Sequence, residues 1–487
     1  MNWQELGLKV GLEVHWELAT KTKLFCNCPN KLVNREPDKI IERYLRPSFG
    51  ELGDVDVAAK AEAMKSKKII YQFYNDVNCL VEIDEEPPHQ PNSEALEISF
   101  VIAELLNARI VDEIHVMRKT IIDGSNVSGF QRTMLIGLNG YIETSFGKVG
   151  IASISLEEDS ARIIDNSKSI FRLDRLGMPE VEISTKPDIH TPDQALEAAE
   201  QLGKLLKSTG KVKLGLGVVR QDVNVSIKNG LRTEIKHVQR LSQIPDVVIK
   251  EVQRQLETLK KGENLENSVR VALEDCSTKF LRPLSGAARM YVETDVYPIL
   301  VDKSLLEKIR KSLPESLDKK LERYLTEYKL SQEIASQLVN ERWQIFERAV
   351  SLGVDKSIAA STLTNILKDL GRKGVDVDSL DDQDIINVLL AYKCGKIAKE
   401  AIPLLIENIF KEKDVDKLID ILKLRSISIY ELEKIVDEKI KQNIDKLKAG
   451  NAEKILMGLV MAEVRGRIDG SIVNEVVKEK IKSNITS

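Results

Sequence analysis

The chain has 487 residues, more than one hydrophobic core normally organises, so two to four domains are expected. Its 42% hydrophobic and 30% charged residues exclude a disordered chain, and a net charge of −4 excludes a strong general attraction to nucleic acid. Five scattered cysteines exclude a disulfide framework and indicate a reducing cytoplasm. The sequence shows neither a signal peptide nor an apolar run of membrane-spanning length, so no membrane association is expected.

Five short segments alternate apolar and polar residues with period two, which predicts strands that bury one face. Their polar positions are Glu13, His15 and Glu17, then Ser153, Ser155 and Glu157, then Glu180, Glu182 and Ser184, then Arg220, Asp222, Asn224 and Ser226, and finally Glu234 and Lys236. For a single strand, a solvated sheet face is the simpler interpretation. For all five together we favour a shared acidic site on one concave face of an antiparallel sheet, because lysine is scarce at these positions.

A hairpin between the last two segments has two possible registers. A two-residue loop at Asn229-Gly230 would turn Glu234 into the core, where an unpaired carboxylate costs several kcal/mol. A three-residue loop with Gly230 in the left-handed conformation would place Glu234 opposite Asn224 and Lys236 opposite Asp222. We therefore predict the three-residue loop.

Strand patterns, glycines and turn dipeptides dominate before residue 295, but two helices are predicted within that part. Thr191 as N-cap, Pro192 as first residue and Gln194 as capping-box partner predict a helix that ends at Gly210, with Leu196 among its buried residues. A second helix is predicted from about Pro245 to Leu259. After residue 295 the pattern is almost wholly helical. The fold class is thus α+β: a domain over residues 1–295 built on an antiparallel sheet, a helical domain over 296–410 and a helical tail domain over 411–487.

Two weaker signals remain. Cys26 and Cys28 could begin a zinc site, but the other cysteines lie far away in the sequence and no second pair is near, which argues against zinc. Gly-rich phosphate loops are absent, since the two glycines of residues 214–219 are not followed by Lys-Ser or Lys-Thr.

Seven ordered motifs carry a family resemblance: KVGLEVH (9–15), KLFCNCP (23–29), YLRPSFGELGDVD (44–56), DEEPPHQPN (84–92), RKTIIDGSNVSGFQRT (118–133), RLDRLGMPEVEISTKPD (172–188) and RQDVNVSI (220–227). Together they resemble the kinase/transferase subunits of tRNA-dependent amidotransferases, and the E subunit of the archaeal glutamyl-tRNA(Gln) amidotransferase more than the related B subunit. The resemblance implies a glutamine-synthetase-like cradle as the catalytic domain.

The resemblance also implies a reaction. ATP phosphorylates the γ-carboxylate of glutamate on tRNA(Gln), and ammonia then displaces phosphate to give Gln-tRNA(Gln). Two anions must meet in the first step, so metal ions and basic side chains are needed to offset their repulsion. In the family a histidine and two glutamates hold a divalent ion, and the matching positions are His15, Glu157 and Glu182. Mg²⁺ is the expected ion, with Mn²⁺ possible because one ligand is histidine.

The remaining candidate residues are given roles according to the chemistry of their side chains. Glu13, Asp222, Asn224 and Glu234 are expected to hold a second metal or to order nucleotide and water. Arg220 and Lys236 are expected to contact phosphate oxygens in the reaction. Arg118, Lys119 and Ser226 are the candidates for binding ATP, although Arg118 and Lys119 could equally be surface charges.

The expected partners follow from the same resemblance. No amidase-type lysine with paired serines occurs in a Gly/Ser-rich stretch, so ammonia should come from an asparaginase-like amidase, the D subunit of the enzyme, in an α2β2 heterotetramer. tRNA could be recognised by shape through the helical domains. The E subunit of the family carries an inserted domain similar to one in bacterial aspartyl-tRNA synthetases. Between Lys261 and Leu281 this sequence has no room for it, whether the natural protein lacks it or it was removed.

Two alternatives stay open at this point. The chain could be a B subunit with a different amidase partner. It could also be an RNA-binding scaffold whose catalytic face is no longer used.

Overall fold

The computed structural model describes residues 1–44, 68–165, 167–215, 217–262, 266–284, 290–448 and 452–484. The chain forms two compact units, Met1–Ser316 and Leu317–Ser487. Positions 45–56 of the motif YLRPSFGELGDVD and 285–289 near the C-terminal end of the first unit lie outside the described residues.

The first unit is built on strands. They are β1 Lys9–Glu17, β2 Lys39–Arg43, β3 Ile69–Phe73, β4 Arg109–Ile110, β5 Glu113–Ile114, β6 Val116–Thr120, β7 Phe130–Thr144, β8 Gly147–Glu158, β9 Arg162–Asp165, β10 Ile170–Arg172, β11 Pro179–Thr185, β12 Val219–Ser226, β13 Thr233–Lys236, β14 Ser268–Ala272, β15 Thr278–Pro283, β16 Met290–Val292 and β17 Ile299–Leu300.

Most of these strands join one large sheet. Its order is β15-β14-β13-β12-β1-β11-β8-β7-β6-β16, and β4 also pairs with β7. The pairs are antiparallel as predicted, except that β13 and β14 run parallel, so the sheet is mixed. A smaller sheet has the order β2-β3-β10-β9, and β17 pairs with β5. The α+β class is confirmed.

Helices cover the apolar side of the large sheet and leave the other side for polar residues. In the described residues, the α-helices of the first unit are Trp3–Leu6, Ser93–Leu105, Pro192–Ser208, Ile244–Lys260 and Lys303–Lys311. Apolar residues of the central strands and of the helices from Ser93, Pro192 and Ile244 share one buried core. Burial of such apolar area is the main term that holds a sheet and its helices together.

The predicted helix at Thr191 forms nearly as expected. Thr191 is the N-cap, its side chain accepts from the amide of Gln194, and Gly210 is left-handed just beyond the end. The Gln194 side chain accepts from the amide of His190 rather than from that of Thr191, so the predicted capping box is not closed. Leu196 is only half-buried, because smaller alanines of this helix face the sheet.

The hairpin register is confirmed. Asn224 lies opposite Glu234, as the three-residue loop predicts, although the paired residues end at Val225 and Thr233 and residues 227–232 connect the two strands. The predicted conformation of the loop is wrong in one detail: Asn229, not Gly230, has the positive φ, at 63°. Asparagine tolerates this region because its short side chain is polar. Gly230 is needed for space, since a Cβ there would lie 2.4 Å from Gln255 Oε1.

The second unit is helical in its described residues. Its helices are Leu317–Thr326, Gln332–Glu341, Trp343–Ser351, Lys356–Ser361, a π-helical turn Thr362–Ile366, Leu367–Arg372, Asp382–Lys393, Ile402–Asn408, Val415–Ile421, Ile429–Gln442, Ile444–Lys448, Ala452–Val464 and Gly470–Asn484. Two separate apolar clusters hold them, one over residues 317–424 and one over 427–477. Within the described part of the chain, none of these helices is long and apolar enough to span a membrane.

The observed divisions fall later than the predicted domain boundaries at 295 and 410. The first unit continues to Ser316, because β17 pairs with β5 and the helix Lys303–Lys311 contributes to the first core. In the second unit the two apolar clusters separate between Leu424 and Ile427, since the helix Val415–Ile421 packs with the earlier helices.

Candidate active site

The five strands predicted to share a polar face are neighbours in the large sheet, in the order β13-β12-β1-β11-β8. His15 of β1 lies opposite Glu182 of β11 on one side and opposite Arg220 of β12 on the other. On β11, Glu180 lies opposite Glu157 of β8. Directly opposite residues point to the same face of a sheet. The fold therefore gathers these side chains on one face.

Three predicted metal ligands come together on this face. One ring nitrogen of His15 and one carboxylate oxygen from each of Glu157 and Glu182 lie within 4.8 Å of one another. Glu157 is buried, and its Oε2 has no hydrogen-bond partner among the described residues. A buried carboxylate oxygen without a partner is costly, and a bound cation would remove that cost. Two carboxylates and one imidazole fit Mg²⁺ or Mn²⁺.

The two glutamates of this group differ in their acidity. Burial and the nearby charge of Glu157 raise the pKa of Glu182 to about 7. Burial also opposes ionisation of Glu157, but Lys119 and His15 outweigh it and hold the pKa of Glu157 below its usual value. Lys119 Nζ lies 2.7 Å from Glu157 Oε1 and 3.5 Å from Glu182 Oε2. This pattern is typical of neighbouring carboxylates that need a cation between them.

His15 lies between two carboxylates. Its Nε2 is 3.1 Å from Glu13 Oε1, and its Nδ1 is 3.1 Å from Glu180 Oε1. Burial lowers the pKa of His15, but these two hydrogen bonds outweigh it and raise the pKa well above 6.5. Burial likewise raises the pKa of Glu13, whereas the bond to His15 lowers it to about 2. Ligand atoms of Glu13, His15 and Asp222 also lie within 4.8 Å of one another, so His15 stands between two possible cation positions.

Lys236 occupies the place that the hairpin register predicted for it. Its Nζ lies 2.5 Å from Asp222 Oδ2 and 2.8 Å from Glu234 Oε1. Burial raises the pKa of Asp222 against the opposing effect of this lysine. Asn224 Oδ1 accepts instead from Arg232 Nε at 2.9 Å, so this predicted site residue is engaged with a neighbour outside the two ligand groups.

Arg220 holds carboxylates rather than standing free for a phosphate. One terminal nitrogen lies 2.8 Å from Asp159 Oδ1, and the other pairs with Glu180 Oε2. Burial opposes its charge, but these carboxylates raise its pKa. Burial and Glu180 raise the pKa of Asp159 to about 6. The predicted contact of Arg220 with phosphate therefore stays a prediction.

Sequence reasoning did not name Glu180 and Asp159 as site residues. A signal was present for both. Glu180 shares the strand face of Glu182, two residues further along. Asp159 directly follows the pair Glu157-Glu158 at the end of β8.

Two predicted residues lie apart from the cluster. Arg118 precedes Lys119 on β6, so it points to the opposite face of the sheet. There its Nε lies 2.8 Å from Glu293 Oε2, and its guanidinium lies 4.6 Å from the ring centre of Phe130. Ser226, at the end of β12, is four residues beyond Asp222, about 13 Å along an extended strand. The structure thus does not bring Arg118 or Ser226 to the ligand groups.

A second cluster contains thiols. Ligand atoms of Cys26, Cys28, Cys79 and Glu82 lie within 4.8 Å of one another. The separation of Cys79 from Cys26 and Cys28 in the sequence is therefore no argument against a zinc site, because the fold brings the segment 79–82 beside them. Glu82 also accepts from the buried Lys23 Nζ at 2.9 Å. Three thiols and a carboxylate are a donor set that suits zinc.

Comparisons with known proteins agree with this architecture. Residues 8–307 match the family model described as the GatB/GatE catalytic domain, and residues 344–481 match the GatB domain. The chain is 39% identical to the E subunit of the glutamyl-tRNA(Gln) amidotransferase of Methanocaldococcus jannaschii, over 97% of this chain and 98% of that protein.

Two further relatives carry the same name. The E subunit of Thermococcus gammatolerans is 38% identical, with 97% of each chain covered, and that of Saccharolobus solfataricus is 37% identical, with 97% of this chain and 98% of that protein covered. These alignments extend over 618 and 621 residues, although the chain has 487. The relatives therefore contain internal residues that this chain lacks, as expected for the missing inserted domain.

Proposed function

Because the chain belongs to the family of glutamyl-tRNA(Gln) amidotransferase E subunits, we propose that it is the ATP-dependent kinase and transamidase of such an enzyme. Its substrate would be glutamate carried on tRNA(Gln), and its product glutamine on the same tRNA. The observation that carries the proposal is the convergence of His15, Glu157 and Glu182 beside two half-buried lysines on one sheet face.

Two steps make up the proposed reaction. An oxygen of the substrate's γ-carboxylate attacks the terminal phosphorus of ATP, which forms γ-glutamyl phosphate and releases ADP. Ammonia then attacks the carboxyl carbon of the acyl phosphate, the bond from this carbon to the phosphate oxygen breaks, and the nitrogen loses a proton, so that the amide, inorganic phosphate and a proton are the products. Neither step needs a covalent bond to the protein, so catalysis depends on placement and charge.

The metal ligands would be His15, Glu157 and Glu182, with Glu13 and Asp222 beside them. A divalent ion bound there supplies positive charge to the phosphate oxygens of ATP. Two observations support this assignment: Oε2 of Glu157 lacks a hydrogen-bond partner among the described residues, and the raised pKa of Glu182 shows that its surroundings lack sufficient positive charge.

The lysines would offset negative charge during phosphoryl transfer. Lys236 bridges Asp222 and Glu234, and Lys119 contacts Glu157, so each ammonium is held in place by carboxylates before any substrate binds. Charges that are already oriented need little reorganisation in the transition state. This supports a role for both lysines in binding and orienting ATP and the acyl phosphate.

The partners of this reaction are also proposed. Ammonia would come from an asparaginase-like amidase, the D subunit, in an α2β2 heterotetramer that works in the cytoplasm on tRNA(Gln). The names of the relatives favour an E subunit over a B subunit. The family membership and the assembled ligands also favour an enzyme over an RNA-binding scaffold.

The test is the variant Glu157→Gln in a complex with the partner amidase. We expect Glu-tRNA(Gln)-dependent ATP hydrolysis to fall by about a hundredfold or more, because one charged ligand is lost where charge develops. tRNA binding should stay unchanged. Free ammonium replaces the amidase in a parallel assay and isolates the kinase step from ammonia supply.

Glu143→Gln is the matched control, since Glu143 is an exposed residue of β7 paired with Lys148. It should leave turnover unchanged. Full ATP hydrolysis and product formation by Glu157→Gln would refute Glu157 as a metal ligand of the reaction. Absence of both activities in the unaltered complex would remove the enzymatic proposal and leave the scaffold.

A further inference from the structure

Glu180 is a carboxylate near the proposed metal ligands that has a charged partner at both of its oxygens. It is buried, and each of its oxygens has its own partner. Oε1 lies 3.1 Å from His15 Nδ1, and Oε2 pairs with Arg220. Arg220 is held in turn by Asp159 at 2.8 Å. A continuous row of charged hydrogen bonds therefore ends on one nitrogen of His15.

Glu180 is not placed as a metal ligand itself. Two groups of close ligand atoms in the described residues include His15, one with Glu157 and Glu182 and the other with Glu13 and Asp222. Glu180 belongs to neither group. Its carboxylate contacts the ring at Nδ1, whereas Nε2 of the same ring faces Glu13.

An imidazole binds a metal through a nitrogen that carries no proton, and the other nitrogen then keeps its hydrogen. A carboxylate accepting a hydrogen bond from that second nitrogen fixes the proton and the ring orientation and makes the ligand more basic. Since Glu180 contacts Nδ1, the proton of the metal-binding form stays on Nδ1. The nitrogen left for the cation is Nε2.

We infer that Glu180 is a positioning residue, which fixes the proton of His15 on Nδ1 so that Nε2 binds the metal. This inference rests on the proposed function, because it needs a cation at the His15, Glu157 and Glu182 group. Arg220, anchored by Asp159, is the second support, since it holds the other oxygen of Glu180 and thereby orients the carboxylate toward His15.

The first test uses the unaltered full-length protein labelled with ¹⁵N-histidine and loaded with ¹¹³Cd²⁺. We expect a one-bond coupling to cadmium on Nε2 of His15, with Nδ1 protonated. A variant His15→Gln identifies the resonance by its loss. Coupling on Nδ1 would overturn the inference, because a metal-bound Nδ1 has no hydrogen to donate to Glu180. Cadmium bound by the thiol cluster would show no coupling to histidine.

The second test measures Mn²⁺ binding by electron paramagnetic resonance of the free ion, without ATP or tRNA. We expect the Kd of Glu180→Gln to rise about 10- to 100-fold, as for other partners of metal-bound histidine. Glu17→Gln is the matched control, because Glu17 is buried on the same face, directly opposite Glu180, but pairs with Lys213 at 2.9 Å. Its Kd should equal that of the unaltered protein.

The outcomes separate the two proposals. If the unaltered protein binds no Mn²⁺, or if Glu157→Gln does not weaken Mn²⁺ binding, the proposed metal site is wrong, and the inference about Glu180 is wrong with it. If that binding is present but Glu180→Gln leaves the Kd unchanged, the positioning role alone is wrong.

Discussion

The affinity of the proposed site for a divalent ion should rise with pH, because the ion competes with protons for its ligands. Burial and the charge of Glu157 raise the pKa of Glu182 to about 7. The pKa of His15 is raised well above 6.5, since its two carboxylate partners outweigh burial. Both groups must lose a proton before they can bind the ion. Acidification should therefore weaken binding.

The magnitude follows from the fraction of each ligand that is deprotonated. Between about pH 6 and about pH 8 the ionised fraction of a group with a pKa near 7 rises from about one tenth to about nine tenths, which strengthens apparent binding about tenfold. His15 adds up to about tenfold for each pH unit below its own pKa. The total change over this range should thus lie between about tenfold and about a thousandfold.

Mn²⁺ titrations followed by electron paramagnetic resonance at about pH 6, 7 and 8 give the affinities, and calorimetry in buffers of different ionisation enthalpy counts the protons released. Glu182→Gln should bind Mn²⁺ more weakly, and its affinity should lose the increase of about tenfold with pH that deprotonation of Glu182 contributes. The increase that deprotonation of His15 contributes should remain. An affinity independent of pH, with no proton released on binding, would refute the assignment of these two ligands.

Two further predictions concern other parts of the first unit. When the protein is prepared with Zn²⁺, Cys79→Ser should retain less zinc by elemental analysis, because it removes one thiol of the cluster. Cys276→Ser lies outside that cluster and should retain as much zinc as the unaltered protein. Equal zinc contents in all three proteins would contradict a zinc role. Gly230→Ala should destabilise the first unit by about 1–3 kcal/mol in calorimetric unfolding, because its Cβ would lie 2.4 Å from the buried Gln255 Oε1. Gly203→Ala, where a Cβ meets open space inside a helix, should be neutral or stabilising, and an equal loss in both variants would contradict the steric argument.

Several features could be predicted from the sequence because they depend only on residues close together in the chain. Period-two alternation identified the polar face of β1, β8, β11, β12 and β13, because successive side chains of a strand point to opposite faces. The cost of burying Glu234 selected the hairpin register, which then placed Lys236 beside Asp222. The N-cap at Thr191 was equally readable, because a cap depends on neighbouring residues only.

Long-range pairing decided the rest. Alternation says which face a residue occupies but not which strand lies beside it, so only the tertiary structure shows that Arg220 faces Asp159 and Glu180 and that Arg118 pairs with Glu293. The same holds for Cys79, which reaches Cys26 through the fold alone. The sequence by itself determined which side chains share the acidic face, because that depends on the geometry of each strand. The choice of partner for each charge was left to the packing of distant segments, because the energy of an ion pair depends on distances that no local pattern contains.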